Sequence, residues 1–178
     1  VIMGEKLRDI LDTFDYTAKI DHVAVKEVVL PFDKLRIDPI LSPEMRSTGE
    51  SMGIDHNFGN AYYKAQYDDG IKFPDKGNVF FSIGDDNEKE TSAELAKELE
   101  ELGFTIYATE GTLKVFQKKG LDVKEVKKVS EGSPNAVDLL EGKKLDFIIN
   151  VPKRGIKARE DEKKIRFAIL DYDVPYVT

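Results

Sequence analysis

The chain has 178 residues, 40% hydrophobic and 34% charged, with a formal net charge of -7. That length suits one domain of ordinary size or a small domain with an appendage, and the composition suits a globular fold over a disordered one. The negative balance argues against a general nucleic-acid or anionic-membrane binder, which needs a positive surface, and the absence of cysteine excludes disulfides and thiol chemistry.

No apolar run approaches the roughly 18 residues of a transmembrane helix. The start, Val1-Ile2-Met3-Gly4-Glu5-Lys6, lacks the layout of a signal peptide, so a cytoplasmic location is expected. Val1 to Phe14 reads as the end of a helix, with Ile2, Leu7, Ile10 and Leu11 on one side. Val23 to Leu30 is rich in valine and reads as a strand stopped by Pro31. Asp38 to Glu50 mixes prolines, acids, an arginine and hydroxyls without apolar period, and reads as a loop. Phe58 to Tyr67 has Phe58, Ala61, Tyr62 and Ala65 at helical spacing. Residues 1–75 therefore carry too few periodic apolar elements for a convincing core of their own, and form an irregular N-terminal extension.

Residues 76–178 alternate cleanly. Asn78 to Ile83 is a buried strand. Glu88 to Leu102 is a helix with Leu95, Ala96, Leu99 and Leu102 facing inward, capped by Asp86 or Asn87 and ended by Gly103. Phe104 to Ala108 is a strand, Thr112 to Lys119 a helix closed by Gly120, and Val123 to Val129 a more polar strand. Asn135 to Glu141 is a short helix, Leu145 to Val151 a strongly apolar strand, Arg159 to Asp171 a helix, and Pro175 to Thr178 the start of a last strand. Strands separated by helices predict an α/β fold, a parallel sheet flanked by helices on both faces.

Ligands of open parallel sheets bind beyond the carboxyl ends of the strands. Here those ends carry Ser82, Thr109 to Thr112, Lys128 to Glu131, and Asn150. The set suits an anion. Gly111 lets backbone approach a ligand, the helix start offers free N–H groups, and hydroxyls and an ammonium add charge-assisted hydrogen bonds of roughly 1.5–3 kcal/mol each. The same residues have a plainer reading: Thr109 and Thr112 as capping groups, Lys128 as a solvated strand residue, Asn150 as a turn former. Glu44, Arg46 and Glu50 read as a network of paired charges, with Arg46 as its fork. His22 and His56 are the only histidines, stand far apart in sequence, and read as surface residues without metal-ligand spacing.

Several runs in order along the chain carry a resemblance. They are V-A-V-K-E-V-V-L-P-F (Val23 to Phe32), D-P-I-L-S-P-E-M-R-S-T-G-E (Asp38 to Glu50), A-T-E-G-T (Ala108 to Thr112), K-V-S-E-G-S-P-N (Lys128 to Asn135) and D-F-I-I-N (Asp146 to Asn150). Together they resemble the C-terminal section of the carbamoyl-phosphate synthetase large subunit. The resemblance implies that residues 1–75 are the C-terminal tail of the second ATP-grasp half or a linker. It implies that residues 76–178 are a methylglyoxal-synthase-like regulatory domain whose last helix is absent, as in a truncated or divided chain. In the family, residues matching Ser82, Thr109, Thr112, Lys128 and Asn150 line an allosteric pocket for UMP or IMP. Those matching Glu27, Leu30 and Thr178 belong to an ornithine site, of which this chain would hold a remnant.

Two departures stand out. Pro152 replaces a hydroxyl two residues after Asn150, and a lysine expected shortly after Ser82 aligns with Lys89 only across one inserted residue, Glu88 falling there otherwise. Lys153, Arg154, Lys157 and Arg159 follow and read as a solvated basic loop or as compensation. The parent enzyme uses ATP, Mg or Mn, and K, works with a glutaminase small subunit, and serves arginine and pyrimidine biosynthesis. Its metal ligands sit in an N-P-R context that this chain lacks, so no catalytic residue and no metal site are expected here; self-association is left open. Alternatives are a free-standing methylglyoxal-synthase-like lyase acting on a triose phosphate, or a structural interaction domain with a vacant pocket. Against the lyase, residues 76–178 contain no histidine, and Asp138 is the only nearby carboxylate base, expected to face outward.

Overall fold

The computed structural model describes residues 2–11, 20–35, 45–151 and 156–177. The chain divides into two compact units, one formed by Val1–Val28 with Glu50–Gly70, the other by Val29–Gly49 with Ile71–Thr178.

The first unit holds a short exposed helix α1 (Leu7–Leu11), strand β1 (Val23–Val29), strand β2 (Gly49–Asp55) and helix α3 (Phe58–Asp68); a single-turn helix α2 (Phe32–Leu35) lies in the second unit. β1 and β2 pair in a two-stranded sheet. Of the expected Val1 to Phe14 helix, Leu7–Leu11 forms α1, which buries nothing, and residues 12–14 lie outside the described residues. Sequence reading missed β2 for a physical reason. Its alternation is inverted: Met52 and Ile54 are exposed, while Ser51 and Gly53 face inward. Ser51 Oγ donates to the Ala65 carbonyl at 2.9 Å, and Gly53 lets α3 approach so closely that a Cβ there would lie 1.9 Å from the Ala61 oxygen. The capping residue of α3 is Asn57, whose side chain accepts from Asn60 N. Residues 38–44 of the expected loop lie outside the described residues.

The second unit is the α/β layer structure expected. Its strands are β3 (Asn78–Ile83), β4 (Thr105–Thr109), β5 (Val123–Val126), β6 (Phe147–Val151) and β7 (Tyr176–Val177). They form a five-stranded sheet in the order β5-β4-β3-β6-β7, every pair parallel. Helices α4 (Asp86–Glu101) and α5 (Glu110–Lys118) cover one face, and α6 (Ala136–Glu141) and α7 (Ile156–Tyr172) the other. The period-two pattern of β3 explains both layers. Val79, Phe81 and Ile83 enter the core with Ala93, Ala96, Leu113 and Phe116, while Phe80 enters the opposite core with Leu140, Ile148, Ile165 and Ile169.

Several boundaries shift. The cap of α4 is Asp85, accepting from Asn87 N and Glu88 N, instead of Asp86 or Asn87. Leu95 and Leu102 are exposed, because α4 meets the sheet through the small residues Ala93 and Ala96. β5 ends at Val126, since Lys127 bridges to Asn135 and Val129–Glu131 turns into a 3-10 segment. Gly103 and Gly120 end their helices at φ +93 and +85, where a side chain would be strained.

The order of the sheet decides where a ligand can sit. Helix α4 follows β3 on one face and helix α7 follows β6 on the other, so the two helices diverge to opposite faces beyond the neighbouring ends of β3 and β6. That divergence opens a crevice at the carboxyl edge of the sheet.

Candidate functional site

A cavity of about 330 Å³ occupies this crevice. Ser82, Ile83 and Gly84 enter it from the end of β3, Asn150 and Val151 from β6, Thr109 and Gly111 from the β4–α5 turn, and Lys127 and Lys128 from the end of β5. Phe80, Val129 and Ile165 supply apolar wall. Ser82, Thr109, Gly111, Lys128 and Asn150 therefore come together around one cavity, as the strand ends led one to expect.

Thr112 takes another position. It is fully buried, and its Oγ1 accepts from the Ile83 amide at 3.1 Å and donates to the Ile83 carbonyl at 3.5 Å. The hydroxyl ties the first turn of α5 to the end of β3 and does not line the cavity. Thr109 is the residue preceding α5, at φ -69 and ψ 152, and its side chain makes no cap hydrogen bond, which leaves the helix start to be satisfied otherwise.

Positive charge at the mouth comes from Lys89, Lys114, Lys127 and Lys128. Lys89 stands on α4, only 12% of its side chain exposed, with Nζ 2.6 Å from Asp86 Oδ1. Its ammonium hangs over the α5 turn, since a Cβ on Gly111 would lie 3.7 Å from Lys89 Nζ. Of Lys89 and Glu88, it is Lys89 that lines the cavity. Lys128 Nζ lies 2.7 Å from Glu131 Oε1, and the backbone N–H of Lys128 donates to the same carboxylate. That hydrogen bond raises the pKa of Lys128 and lowers that of Glu131, so both are ionised near neutrality. Lys114 likewise pairs with Glu110 and holds its carboxyl below the usual range.

Asn150 is 3% exposed, and among the described residues its Oδ1 has no hydrogen-bond partner. A buried amide oxygen left unsatisfied costs about 1–3 kcal/mol. A side-chain amide has the chemistry to accept from a hydroxyl through its oxygen or, turned over, to donate N–H to an oxyanion.

Sequence reading missed the wall supplied by α7. Asp161 and Glu162 line the cavity, and Asp161 Oδ2 accepts from Ser130 N at 3.1 Å and Ser130 Oγ at 2.6 Å, pinning the 3-10 segment to α7. The signal was hidden because acids in a helix so rich in charge look like a solvated face. Pro152, Lys153, Arg154 and the side chains of Lys157 and Arg159 lie outside the described residues.

A cavity at the divergence of a five-stranded parallel sheet, ringed by lysines and an unsatisfied amide, meets a direct comparison: the model of the MGS-like domain family matches residues 91–178. Residues 91–178 are an MGS-like domain. Over its full length the chain is related to the C-terminal section of carbamoyl phosphate synthase large chains. It is 46% identical over 193 residues to the "Carbamoyl phosphate synthase large chain, C-terminal section" of Aquifex aeolicus, covering 100% of this chain and 36% of that protein. To the protein of the same name from Methanocaldococcus jannaschii it is 44% identical over 188 residues, covering 30% of that protein. To the "Carbamoyl phosphate synthase large chain" of Methanoregula boonei it is 45% identical over 179 residues, covering 16% of that protein. The chain thus spans about a third or less of the length of these relatives.

The remaining described candidates do not line the cavity. Glu27 is half-buried in β1, where its charge helps raise the pKa values of Tyr62 and Asp69, after burial, the larger cause in each. Leu30 belongs to the second unit, and Thr178 lies outside the described residues. Glu50 pairs with Lys26 at 2.9 Å, and Glu44 lies outside the described residues. His22 and His56 are exposed, and His56 Nδ1 lies 3.0 Å from the Asp21 carbonyl oxygen. Asp138 is half-buried and accepts from Asn135 N in the cap of α6, so its carboxylate is engaged. Among the described residues no cluster of His, Cys, Asp or Glu could hold a metal, and no helix is long and apolar enough to cross a membrane.

Proposed function

We propose that this chain is the allosteric regulatory part of a carbamoyl phosphate synthase large chain, binding a phosphorylated effector such as UMP or IMP in the cavity beyond β3 and β6. The observation that carries this reading is the convergence of Lys89, Lys128, the Gly111 turn and the unsatisfied Asn150 on one cavity of the MGS-like domain. The lysines and the α5 turn receive the phosphate. The apolar surface of Val129 and Ile165 receives the flat or sugar part, and Asp161 and Glu162 accept from its hydroxyls. The cavity volume of about 330 Å³ suits a monophosphate better than a longer phosphate chain.

In this reading the chain regulates and does not itself catalyse. The ATP-dependent synthesis of carbamoyl phosphate, with its Mg or Mn and K and its glutaminase partner, belongs to the rest of the enzyme. Residues 1–75 are then the tail of the preceding ATP-grasp half, and the setting is cytoplasmic pyrimidine and arginine biosynthesis.

A second reading is an interaction domain without an effector. One observation favours it: Lys89, Lys114 and Lys128 are each already neutralised by Asp86, Glu110 and Glu131. Differential scanning fluorimetry with UMP, IMP, uridine and dihydroxyacetone phosphate separates these readings. A binder of nucleotide monophosphates gains about 2.7 kcal/mol of stability at a hundredfold excess of ligand over Kd. A lyase releases phosphate from dihydroxyacetone phosphate, and an interaction domain responds to none of them.

A further inference from the structure

Asp161 of α7 lines the cavity together with Lys127 and Lys128. By charge alone it opposes an incoming phosphate. Its hydrogen bonds point to a different task. Oδ2 accepts the backbone N–H of Ser130 at 3.1 Å and the Ser130 hydroxyl at 2.6 Å. Ser130 is exposed and does not line the cavity. It is the middle residue of the 3-10 turn Val129–Glu131, and Lys128 is the capping residue of that turn. The Lys128 N–H and Nζ donate to the Glu131 carboxylate at 3.3 and 2.7 Å, and the Glu131 N–H donates back to the Lys128 carbonyl at 2.9 Å. Lys128 to Glu131 is thus closed on itself by hydrogen bonds. Upstream, the Lys127 N–H donates to the Pro134 carbonyl at 3.0 Å, and within the turn Val129 packs its half-buried side chain against the core beneath α6 and α7. Asp161 adds two bonds from a helix, and these fix how the turn is oriented about that packed side chain. The Asp161 charge also helps hold the Lys128 proton, after the hydrogen bond to Glu131, the main cause.

We propose that Asp161 and Ser130 are positioning residues of the anion site: they tie the 129–131 turn to α7, hold the Lys128 ammonium at the cavity, and so favour anion binding despite the negative charge of Asp161. This rests on reading the cavity as an anion site. The sign is opposite to that of simple electrostatics, because removing an acid from the wall weakens the binding of an anion. Asparagine at position 161 separates the two effects. Its carbonyl oxygen still accepts from both Ser130 donors, so the tie is kept while the repulsion is lost. Both bonds fall on Oδ2, so the same carboxylate remains compatible with a ligand hydroxyl at Oδ1.

The test is calorimetric titration of the 178-residue chain with inorganic phosphate and with UMP, in the parent, Asp161→Ala, Asp161→Asn, Ser130→Ala, Ser130→Thr, Lys128→Met and the Lys128→Met/Ser130→Ala double variant, each checked by thermal melting. For phosphate, Asp161→Ala should bind about fivefold more weakly and Ser130→Ala about threefold more weakly, with Ser130→Thr within about twofold of the parent and Asp161→Asn at least as tight as the parent. For UMP, Ser130→Ala should cost nothing further once Lys128 is methionine, because the ammonium that the turn positions is gone. If Asp161→Ala does not fold, the Ser130→Ala loss and its recovery in Ser130→Thr decide. Phosphate binding by Asp161→Ala as tight as in the parent, unchanged binding in Ser130→Ala, or an equal Ser130→Ala loss with and without Lys128 overturns the proposal while leaving the anion site intact. A parent chain that binds neither probe removes the anion site and this proposal with it.

Discussion

The Thr112 hydroxyl meets both backbone polar groups of Ile83, taking the amide at 3.1 Å and reaching the carbonyl at 3.5 Å. Two walls of the cavity are joined at this point, the end of β3 and the first turn of α5. A residue expected from sequence to bind phosphate is here the clamp that sets the spacing between two cavity-lining elements.

Thr112→Val keeps the shape and removes the hydroxyl, leaving the Ile83 amide unsatisfied in a buried place. The expected loss is about 1–3 kcal/mol in urea unfolding, with Thr112→Ser recovering much of it. Equal stability of Thr112→Val and the parent would contradict the clamp.

Gly53→Ala should be costly to the first unit, because the new methyl would meet backbone atoms of Ala61 and Ala65 at 1.9 and 2.6 Å, and backbone cannot swing away. A loss of about 3 kcal/mol or more is expected. Hydrogen exchange should locate the loss in β2 and α3; unchanged protection there would contradict the packing.

Asp55 has its carboxyl pulled down to about 2 from 3.8, first by its hydrogen bond to Lys64. Its folded pKa lies below its unfolded one, so the stability it adds is present above about pH 4 and is lost as pH falls toward 2. Urea midpoints across that window should fall less steeply in Asp55→Asn than in the parent. Parallel curves would assign the acid sensitivity to other groups.

Glu131 competes with any anion for Lys128, and its own pKa is lowered by that contact. Glu131→Gln should therefore tighten phosphate binding several-fold, whereas Lys128→Met should weaken it roughly 10- to 150-fold, the value of one charge-assisted hydrogen bond. Calorimetry measures both, and a tighter Lys128→Met variant would contradict the role of the lysine.

The regular part of the chain was legible because its strands are continuous apolar runs and its helices end at glycines. Asn78–Ile83 is the clearest case, its bounds as read from sequence matching the strand. Gly103 and Gly120 marked helix ends for a backbone reason, their positive φ. Legibility failed where burial inverts the usual chemistry. In β2 the inward positions hold Ser51 and Gly53, which no apolar pattern announces. In α4 the inward stripe is Ala93, Ala96 and the partly buried Leu99, and two of the leucines that attract attention, Leu95 and Leu102, are outside. At the site, strand ends found Ser82, Thr109, Lys128 and Asn150, since topology alone places them. Position along the chain could not tell that Thr112 is turned to Ile83, nor that Asp161 and Glu162 of α7 line the wall.

A phosphate site beyond β3 and β6 is tested by calorimetric titration of the 178-residue chain with UMP beside uridine, repeated for Lys128→Met. Saturable binding of UMP at one site is expected, with none for uridine and a loss of at least about tenfold in Lys128→Met. Uridine binding as well as UMP, or neither binding at millimolar concentration, would contradict a phosphate site beyond β3 and β6.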